Sequence, residues 1–398
     1  MAFEWTTIRA ADFIEFNPRL SIKKNAIATK VAMDKLQPFT KKIPATEPAE
    51  FAGGSKFCNG DTIMARITPC LENGKTAFVD ILQDGEVGFG STEFIVMRAR
   101  DGISDPQFIY YLATSPAFRN VAIKSMVGSS GRQRVQQGVL DDLELVVPPL
   151  EGQQKIGAFL ALFDEKIALN NKINDNLLDL ATALFNQTIT ENNATLVIKI
   201  VSEIADVKGG KRLPKGINLQ ITPNDHPYIR VRDLNDASIV QLTPNFEYVD
   251  DETQKGISRY IVHTSDIIVS IVGTIGLTAL IHESLDNANL TENCVKITNL
   301  KEVSPEYLLL FLRSVDGQNA ICQGTVGAVQ AKLPIKNIQS IPVPIIPEPQ
   351  RNHLNDQLRA MFLSIAANLS ENAYLIKIRD SLLPRLMSGE VDVSDIQI

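Results

Sequence analysis

The sequence predicts an α+β protein in which two similar mixed α/β domains are separated by two long antiparallel helices that pair in a coiled-coil-like manner. Three observations predict this fold: an internal repeat over nearly the whole chain, short β-branched runs between Gly and Pro residues, and two long stretches of helical periodicity. Because each domain is followed by one helix, the repeat is pseudo-two-fold. The predicted segments are a first domain at 1–150, a central helix at 151–190, a second domain at 191–347, and a C-terminal helix and tail at 348–398.

The internal repeat is visible when residues 1–190 are laid over residues 196–398. Landmark segments then pair in the same order: DTIMARI from Asp61 with DIIVSIV from Asp266, STEFIVMR with LTENCVKI, and GSSG with GTVG. The offset drifts between about 194 and 205 residues, as insertions in loops produce when a scaffold is kept. We therefore predict two copies of one unit that differ mainly in their loops.

Each predicted long helix carries an apolar stripe. A helix of 33 to 37 residues spans about 50 Å, so one small domain cannot cover its stripe, and the two helices are expected to cover each other. Asn170 and Asn174 fall in or beside the first stripe, where a register-fixing polar contact and a solvated flank both stay open. The first stripe contains Ile156, Leu160, Phe163, Ile167, Leu177 and Leu184, widened by Phe159, Ile173 and Leu180, with Ala181 at a weaker place. The second contains Leu354, Leu358, Met361, Ile365, Leu369, Ile376 and Leu383.

The charge of the chain limits its affinity for nucleic acid. The formal net charge is −7, with residues 1–150 neutral and residues 191–347 at −3. No segment is a basic tail, so strong DNA binding by this chain alone is not expected. If the chain binds DNA, a partner has to supply much of the phosphate contact.

Other features indicate a cytoplasmic protein without a catalytic or metal site. No stretch reaches the roughly 18 apolar residues of a membrane span, the start lacks a signal pattern, and the four cysteines are widely spaced. The histidines show no ligand spacing, and we expect no cofactor. No GxGxxG follows a strand, and HExxH and the N/D-P-P-F/Y motif of adenine methyltransferases are absent.

One motif imitates a phosphate-binding loop. Gly74-Lys75-Thr76 has the ending of GxxxxGK[ST], but Pro69 stands where the first Gly is required and cannot donate an amide to phosphate. We interpret Asn73-Gly74 as a hairpin turn that leaves Lys75 free for a DNA contact.

Several segments resemble a known family. PPLEGQQKIGAFLALFDEKIALNNKIND resembles the stretch after the first target-recognition domain in specificity subunits of type I restriction–modification systems, and LLPRLMSGEV resembles the end of their second helical region. FCNGDTIMARITPCLENGKTAFVDI with GFGSTEFIVMR is similar to one class of recognition domain, and HPYIRVRDL to another. The second copy departs from the pattern, since IIPEPQRNHLNDQL keeps Gln350 and the Pro pattern and little else.

The resemblance implies a subunit with no catalytic site of its own. Such a subunit reads a bipartite, asymmetric site in double-stranded DNA with two target-recognition domains. It positions two methyltransferase subunits, which methylate adenine from S-adenosylmethionine, and ATP-driven restriction/translocase subunits. The two-fold pseudo-symmetry of the two similar domains also matches the dyad of DNA. A separation of about 50 Å would place the domains one to one and a half helical turns apart on a duplex. The competing hypothesis is a non-catalytic coiled-coil scaffold that presents two domains to protein partners.

DNA-reading candidates are polar and basic side chains in the loops that differ between the copies. Thr92-Glu93 and Thr291-Glu292 recur in both copies, so a structural hydrogen-bonding role weighs at least as much as base reading. For four lysines a solvated role and a phosphate-facing role both stay open: Lys23, Lys24, Lys41 and Lys42. The first-domain candidates are Arg66, Thr68, Asn73 and Lys75 in ARITPCLENGK, and Ser129, Ser130, Arg132, Gln133 and Arg134 in GSSGRQR. The second-domain candidates are Lys208, Lys211 and Arg212 in KGGKR, then Arg230, Arg232, Ser270, Thr274, Thr325 and Gln330.

Overall fold

The computed structural model describes residues 3–327 and 330–394. The chain forms two compact units, and each long helix is divided between them. The first unit is Met1–Leu169 with Glu371–Ile398, and the second unit is Asn170–Ser370. Each unit therefore holds one mixed α/β domain and part of both long helices. Among the described residues, no helix has both the length and the apolar character that crossing a membrane requires.

The domain of the first unit consists of short strands in three small sheets, with short helices beside them. The sheets have the strand orders β1-β10, β2-β9-β6-β7 and β4-β3-β8-β5. The first long helix, α5, follows directly. The elements are β1 (Thr6–Arg9), α1 (Ala10–Phe13), β2 (Ile14–Phe16), β3 (Ile27–Val31), β4 (Glu47–Glu50), β5 (Ser55–Phe57), β6 (Thr62–Ala65), β7 (Thr76–Phe78), β8 (Gly88–Gly90), β9 (Phe94–Ala99), α2 (Pro106–Thr114), α3 (Pro116–Lys124), α4 (Gln137–Asp141), β10 (Glu144–Val147) and α5 (Leu150–Glu191).

The hairpin predicted at Asn73-Gly74 is confirmed. Strands β6 and β7 pair antiparallel, with Ile63 opposite Ala77, and the turn between them includes both residues. Gly74 has a φ of +74°, and a Cβ atom there would lie 2.6 Å from the Phe39 ring. The turn therefore requires glycine for both its backbone conformation and its close contact.

Helix α2 begins where the sequence provides both a cap and a proline. The Asp105 side chain accepts a hydrogen bond from the Phe108 backbone N–H at 2.9 Å, and Pro106 occupies the first turn, where no donor is needed. Phe108 and Tyr111 are buried in the core of the first unit. This buried helix places one side of the domain against α5.

The domain of the second unit follows the same plan. Its sheets have the strand orders β11-β20, β12-β19-β16-β17-β14 and β15-β13-β18. The elements are β11 (Val197–Ile200), α6 (Val201–Ile204), β12 (Asp206–Gly209), β13 (Pro227–Ile229), α7 (Val231–Leu234), β14 (Ile239–Val240), β15 (Glu247–Tyr248), α8 (Asp251–Ile257), β16 (Ile267–Ser270), β17 (Thr278–Ile281), β18 (Asn289–Leu290), β19 (Cys294–Thr298), α9 (Pro305–Arg313), α10 (Val315–Gly324), α11 (Ile335–Gln339), β20 (Pro342–Ile345) and α12 (Gln350–Met387).

The internal repeat is confirmed by the sheet topology. The pair β1-β10 corresponds to β11-β20, and the order β2-β9-β6-β7 corresponds to β12-β19-β16-β17. The two domains share a corresponding parallel pair, β3 with β8 and β13 with β18, and the second domain has a further one, β14 with β17. The differences lie at sheet edges, where β5 extends the first domain and β14 extends the second. The two domains therefore keep one frame and vary at its periphery.

The two long helices are α5, with 42 residues, and α12, with 38. Both exceed the 33 to 37 residues expected, and 42 residues correspond to about 63 Å. Pro149 immediately precedes α5, and Pro384 lies within the last turn of α12, where few backbone hydrogen bonds depend on it.

In the first unit the two helices run antiparallel. Asp164 of α5 pairs with Arg379 of α12, and Lys166 pairs with Glu371 at 3.1 Å. The residue number rises along α5 while it falls along α12. This is the antiparallel pairing that the sequence predicts.

The second unit shows the same direction. The Asn368 Nδ2 donates to the Asn174 Oδ1 at 2.8 Å, and Phe185 lies in the same core as Leu354. The antiparallel pairing is therefore confirmed in each unit.

The buried stripe of α5 differs from the predicted one. Ile173 and Leu180, expected to widen the stripe, are 38% and 54% exposed. Asn170, Asn174 and Ala181, the weaker places of the predicted stripe, are buried. The polar contact that the sequence left open is present at Asn174. The prediction was wrong only for the two apolar residues expected to widen the stripe.

The buried stripe of α12 also differs from the predicted one. Leu354 and Leu358 are buried as predicted, whereas Ile376 is 37% exposed. Asn372 and Arg379 are buried in its place, at 5% and 7% exposure. Polar side chains therefore take part of the buried face that the apolar stripe of α12 was expected to fill.

Candidate nucleic-acid interface

In the first domain three segments come together at one end of the β6-β9 sheet. The Arg66 backbone N–H donates to the Glu93 carbonyl at 2.9 Å, and the Thr68 N–H donates to the Gln133 carbonyl at 3.0 Å. Ile67 forms a β-bridge with Arg134. We call residues 66–75, 91–93 and 127–135 the first loop cluster. It unites the candidates of ARITPCLENGK and GSSGRQR, which are far apart in sequence.

The GSSGRQR segment is a small hairpin on this cluster. The backbones of Val127 and Arg134 exchange hydrogen bonds at 3.0 and 2.9 Å, and the Arg132 N–H donates to the Ser129 carbonyl at 2.9 Å. Ser129, Ser130 and Arg132 are exposed at its tip. Their side chains are thereby presented to solvent by a closed backbone turn.

Arg134 is held by a carboxylate. Its Nε lies 3.0 Å from both oxygens of Glu93, and its Nη2 lies 2.6 Å from Oε1. Hydrogen bonding to Arg134 holds the pKa of Glu93 below its usual value. The Arg134 side chain is still 45% exposed, so the pair lies at the surface.

Other first-domain candidates are engaged within the protein. The Lys75 ammonium, expected to be free, donates to the Met33 carbonyl at 2.9 Å. The Thr68 hydroxyl donates to Glu72 at 2.8 Å, and the Arg66 Nη2 contacts the Val135 carbonyl at 3.3 Å. These contacts order the hairpin turn.

The two remaining first-domain candidates differ in exposure. Asn73 is exposed, with its backbone N–H donated to the Pro69 carbonyl, and Gln133 is half-buried.

Lys42 is partly exposed and pairs with Asp80. Lys41 is 5% exposed, so the expected solvated or phosphate-facing role is wrong for this residue.

The second domain builds a corresponding cluster. The Gly210 N–H donates to the Cys294 carbonyl at 3.0 Å, which brings KGGKR beside the start of β19. The Leu333 N–H donates to the Ile271 carbonyl at 3.0 Å, and Val272 forms a β-bridge with Lys332. The second loop cluster comprises 208–213, 270–277, 291–293, 325–327 and 330–333.

KGGKR contributes exposed basic groups to this cluster. The Arg212 side chain is 83% exposed, and its Nε donates to the Glu292 Oε1 at 2.8 Å. Lys211 is exposed, with its ammonium 5.4 Å from the Tyr260 ring centre. Lys208 is also exposed and lies 3.5 Å from Asp206.

Ser270 must be removed from the candidate readers. Its side chain has no exposure; its hydroxyl donates to the Thr274 carbonyl at 2.6 Å and accepts from the Leu277 N–H at 2.9 Å. Both hydrogen bonds close the turn between β16 and β17, so no base can reach this oxygen. Thr274 is exposed on that turn, and Gln330 is exposed nearby. Thr325 is half-buried, and its hydroxyl donates to the Ile321 carbonyl at 2.9 Å.

Arg230 and Arg232 border a cleft of about 400 Å³ beside Arg212 and Glu292. Arg230 Nη1 lies 2.5 Å from Glu247, and Arg232 Nη2 lies 3.3 Å from the same carboxylate. The sequence shows the basic residues but not their acidic partners. The paired charges explain how a candidate DNA interface exists in a net acidic chain.

Next to this cleft, the carboxyl group of Asp233 has a shifted pKa. Burial raises the pKa of Asp233 to about 6, although the nearby Arg232 acts in the opposite direction. The Asp233 Oδ2 accepts the Arg230 backbone N–H at 2.8 Å and so fixes the turn that presents Arg230.

Sequence reasoning missed Lys332. This residue forms β-bridges with Val272 and Val326, as Arg134 does with Ile67 and Val127. Lys332 is exposed and thus stands at the place of Arg134 in the second domain. The GSSG–GTVG alignment does not find it, because its constant offset pairs Arg134 with Gln330 and Lys332 lies two residues further on.

A pair of amide side chains was also missed. The Gln153 Oε1 accepts the Asp105 N–H at 2.9 Å, and its Nε2 donates to the Ile103 carbonyl at 3.1 Å. In the second domain the Asn355 Oδ1 accepts the Ser304 N–H at 3.2 Å. We call these contacts the amide clamps, since each joins the first turns of a long helix to the start of α2 or α9. Among the described residues no group of His, Cys, Asp and Glu is arranged to hold a metal ion.

Comparison with known families identifies this architecture. The chain matches the family described as "Type I restriction modification DNA specificity domain" twice, over residues 4–179 and 195–373. The chain belongs to this family and carries two copies of its domain. Its function class is therefore DNA sequence recognition in type I restriction–modification, and none of the matched proteins described below is named for a catalytic subunit.

Individual relatives agree with this assignment. The HindI specificity subunit of Haemophilus influenzae is 24% identical over 411 residues, which cover 83% of this chain and 86% of that one. The EcoAI specificity subunit of Escherichia coli is 29% identical over 161 residues, and the match spans 39% of this chain and about a quarter (26%) of that one.

A solved structure shares the fold. The type I S subunit from M. genitalium superimposes with a TM-score of 0.58 at 14% sequence identity, covering 96% of both chains. This likeness shows a common fold for the whole chain.

Proposed function

We propose that this chain reads a bipartite, asymmetric DNA sequence, with each domain reading one half-site. The observation that carries the proposal is the pair of loop clusters, which occupy corresponding places in two domains of one topology and contain different side chains. A shared frame fixes where each cluster lies, and different side chains give it a different base preference.

The proposal assigns the segments as follows. The two target-recognition domains are 1–150 and 191–347, and the helices at 151–190 and 348–398 set their spacing. The chain has no catalytic site of its own in this scheme. Two methyltransferase subunits and the restriction/translocase subunits bind it and act where it directs them, within the cytoplasm.

The charge distribution supports a dependence on partners. Arg134, Arg212 and Arg230 are each paired with a carboxylate, which reduces the net positive charge that these residues offer to phosphate. We expect weak DNA binding by the isolated chain and strong binding once methyltransferase subunits contribute phosphate contacts. Nanomolar, sequence-specific binding by the chain alone would contradict this expectation.

The test is methylation in vivo, scored across targets randomised in each half-site and in the spacer. Arg132→Ala with Arg134→Ala should relax or abolish recognition of one half-site, because a lost base reader costs about 1–3 kcal/mol at its own position. Lys211→Ala with Arg212→Ala should affect the other half-site, or weaken methylation uniformly if both contact phosphates.

The matched control is Lys255→Ala with Arg259→Ala, two exposed basic residues outside both loop clusters. This control should leave the preferred sequence unchanged. A loop variant of one domain that alters base preference in both half-sites would refute the two-reader arrangement. An unchanged pattern for every loop variant would favour a scaffold without DNA-reading function.

A further inference from the structure

Each loop cluster contains a glutamate from the repeated Thr-Glu pair, and each glutamate holds an arginine. Glu93 pairs with Arg134 in the first domain, and Glu292 pairs with Arg212 in the second. The glutamates are in corresponding positions just before β9 and β19. The arginines come from different loops, one following α3 and the other following β12. The carboxylate is thus the repeated element, and the source of its arginine is not.

The Glu93–Arg134 geometry leaves one edge of the guanidinium available. Glu93 contacts Nε and Nη2, which form the side edge of the planar group. Within the part of the chain that the structure describes, no protein acceptor contacts Arg134 Nη1. The free edge contains Nη1 and the outer hydrogen of Nη2, two donors with the spacing that guanine O6 and N7 accept.

Glu93 is itself fixed in place. Its backbone N–H donates to the Ser91 hydroxyl at 3.1 Å, and its carbonyl accepts the Arg66 N–H at 2.9 Å. Its side chain is 24% exposed, about half the exposure of Arg134. The carboxylate is therefore a fixed support for a longer and more mobile side chain.

The second pair has the same arrangement with fewer contacts. Only Nε of Arg212 meets Glu292 among the described residues, at 2.8 Å, so both terminal nitrogens are available. The Thr291 hydroxyl donates to the Glu292 Oε2 at 3.1 Å and steadies the carboxylate. With 83% exposure, Arg212 is held less firmly than Arg134.

Stability does not explain why these pairs recur. Exposed ion pairs contribute little to folding, because water and salt screen them and two long side chains lose freedom. Orientation does explain it: an arginine fixed before it meets DNA loses less freedom on binding and presents its donors in one direction. The carboxylate also repels phosphate, which weakens contacts of the same arginine with the DNA backbone.

We propose that Glu93 and Glu292 are positioning residues for base recognition, each of which orients an arginine toward the major-groove edge of a guanine. Each half-site then contains one G·C pair that depends on the glutamate of its own domain. This inference rests on the proposed DNA-reading function and adds the base and the residues that select it.

The experiment uses the assembled complex with its methyltransferase subunits and the randomised target library. Glu93→Gln should reduce discrimination at one G·C pair of one half-site by roughly tenfold to a hundredfold. Glu292→Gln should act on one pair of the other half-site, with a smaller change because one hydrogen bond holds Arg212. Arg134→Lys keeps the positive charge but not the two-donor edge, and should lose the same guanine preference.

Matched controls are Asp12→Asn and Asp236→Asn, which neutralise acids in exposed ion pairs outside the clusters, with Arg9 and Arg313. Both should leave every base preference unchanged. Thermal unfolding of each complex separates a folding defect from a change in recognition. If Glu93→Gln does not fold, Glu93→Asp, which withdraws the carboxylate by one methylene, should weaken the same base pair partially.

The outcomes separate this inference from the proposed function. If Arg134→Lys alters a half-site while a folded Glu93→Gln or Glu93→Asp keeps every preference, the positioning role is overturned and DNA reading stands. If a glutamate variant weakens methylation equally at all targets, the positioning role is also overturned. If Arg134→Lys leaves the library unchanged, Arg134 is not a base reader and the positioning role of Glu93 is overturned. Only an unchanged library for every loop variant would remove the DNA-reading function itself.

Discussion

In both units a mixed α/β domain packs against the two long helices, but different side chains make the contact. In the first unit the domain and the two helices meet around buried charges, since Asp164 accepts from the Tyr111 hydroxyl at 2.5 Å and pairs with Arg379. In the second unit a segment after β17 contacts α12, and there the Ser370 hydroxyl donates to the Glu283 carboxylate at 3.2 Å. The His282 Nε2 lies 3.2 Å from both the Ala366 carbonyl and the Ser370 hydroxyl.

The difference shows which features of the repeat are constrained. The strand order and the amide clamps are kept, while the side chains that join each domain to the helices differ, with a buried ion pair in the first unit and an imidazole–hydroxyl contact in the second. A buried ion pair is costly to break but not required for folding, because well-packed or neutral groups can replace it. The shared frame therefore lies in backbone geometry rather than in particular contacts.

The largest expected effect comes from breaking the buried ion pair of the first unit. Asp164→Asn should lower the free energy of unfolding by about 3–5 kcal/mol, because Arg379 is left buried without its main partner. Asn368→Ala in the second unit should cost about 1 kcal/mol, the usual value of a hydrogen bond between neutral groups. Urea denaturation followed by the fluorescence of Trp5, the single tryptophan, reports the first unit, because Trp5 packs on its core. Hydrogen exchange along α12 around Asn368 reports the second unit.

The control is the double variant Asp164→Leu with Arg379→Met, which removes both charges. It should be more stable than Asp164→Asn, since Arg379 is no longer present as a buried charge without Asp164. Equal losses for Asp164→Asn and Asn368→Ala would show that the two units do not differ in the way described.

The second prediction is that the stabilities of the two units change in opposite directions between about pH 8 and 10. Burial lowers the pKa of Lys41 in the first unit to about 8, and burial raises that of Cys294 in the second to about 12. The folded state thus binds fewer protons than the unfolded state at Lys41, and more at Cys294. With rising pH the Lys41 contribution to stability increases and the Cys294 contribution decreases, each by at most about 1.4 kcal/mol per pH unit.

Hydrogen exchange measured separately in the two units tests this prediction. Lys41→Met should remove the gain with pH in the first unit, and Cys294→Ala should remove the loss in the second. Each substitution should leave the other unit unaffected. Identical pH profiles for Lys41→Met and the unsubstituted protein would contradict the lowered pKa of Lys41.

The smallest expected effect compares the amide clamps. Gln153 is 2% exposed and Asn355 is only half-buried, so water can replace the contacts of Asn355 more readily. Gln153→Leu should cost about 2 kcal/mol, because a buried backbone N–H loses its acceptor, and Asn355→Leu about 1 kcal/mol. Unit-resolved hydrogen exchange at the first turns of α2 and α9 measures both. A greater loss for Asn355→Leu would reverse the ranking of the clamps.

Much of the architecture could be predicted because local and repeated sequence patterns determine it. The Asn73-Gly74 hairpin follows from turn chemistry, and the repeat follows from landmarks such as Asp61 and Asp266. The burial of Arg379 could not be predicted, because an arginine counts as a surface residue until its partner Asp164 is known.

The candidate site was likewise predicted only in part from the sequence. The sequence indicated loops rich in basic and polar residues, and the structure gathers them into two clusters. It could not separate Ser270, buried in its own turn, from exposed Thr274, because burial depends on distant segments. It also gave no sign that Lys41 is buried among aromatic rings, with its ammonium 4.9 Å from the Tyr111 ring centre.

The sequence by itself determined the two-copy plan, the long helices and the loops in which recognition is sought, because spacing and residue type carry that information. The tertiary structure alone decided which arginine each glutamate holds. Glu93 and Arg134 are 41 residues apart, Glu292 and Arg212 are 80 apart, and these pairings do not correspond between the copies. Contacts between distant residues depend on how loops pack on the sheet, and no local pattern encodes that packing.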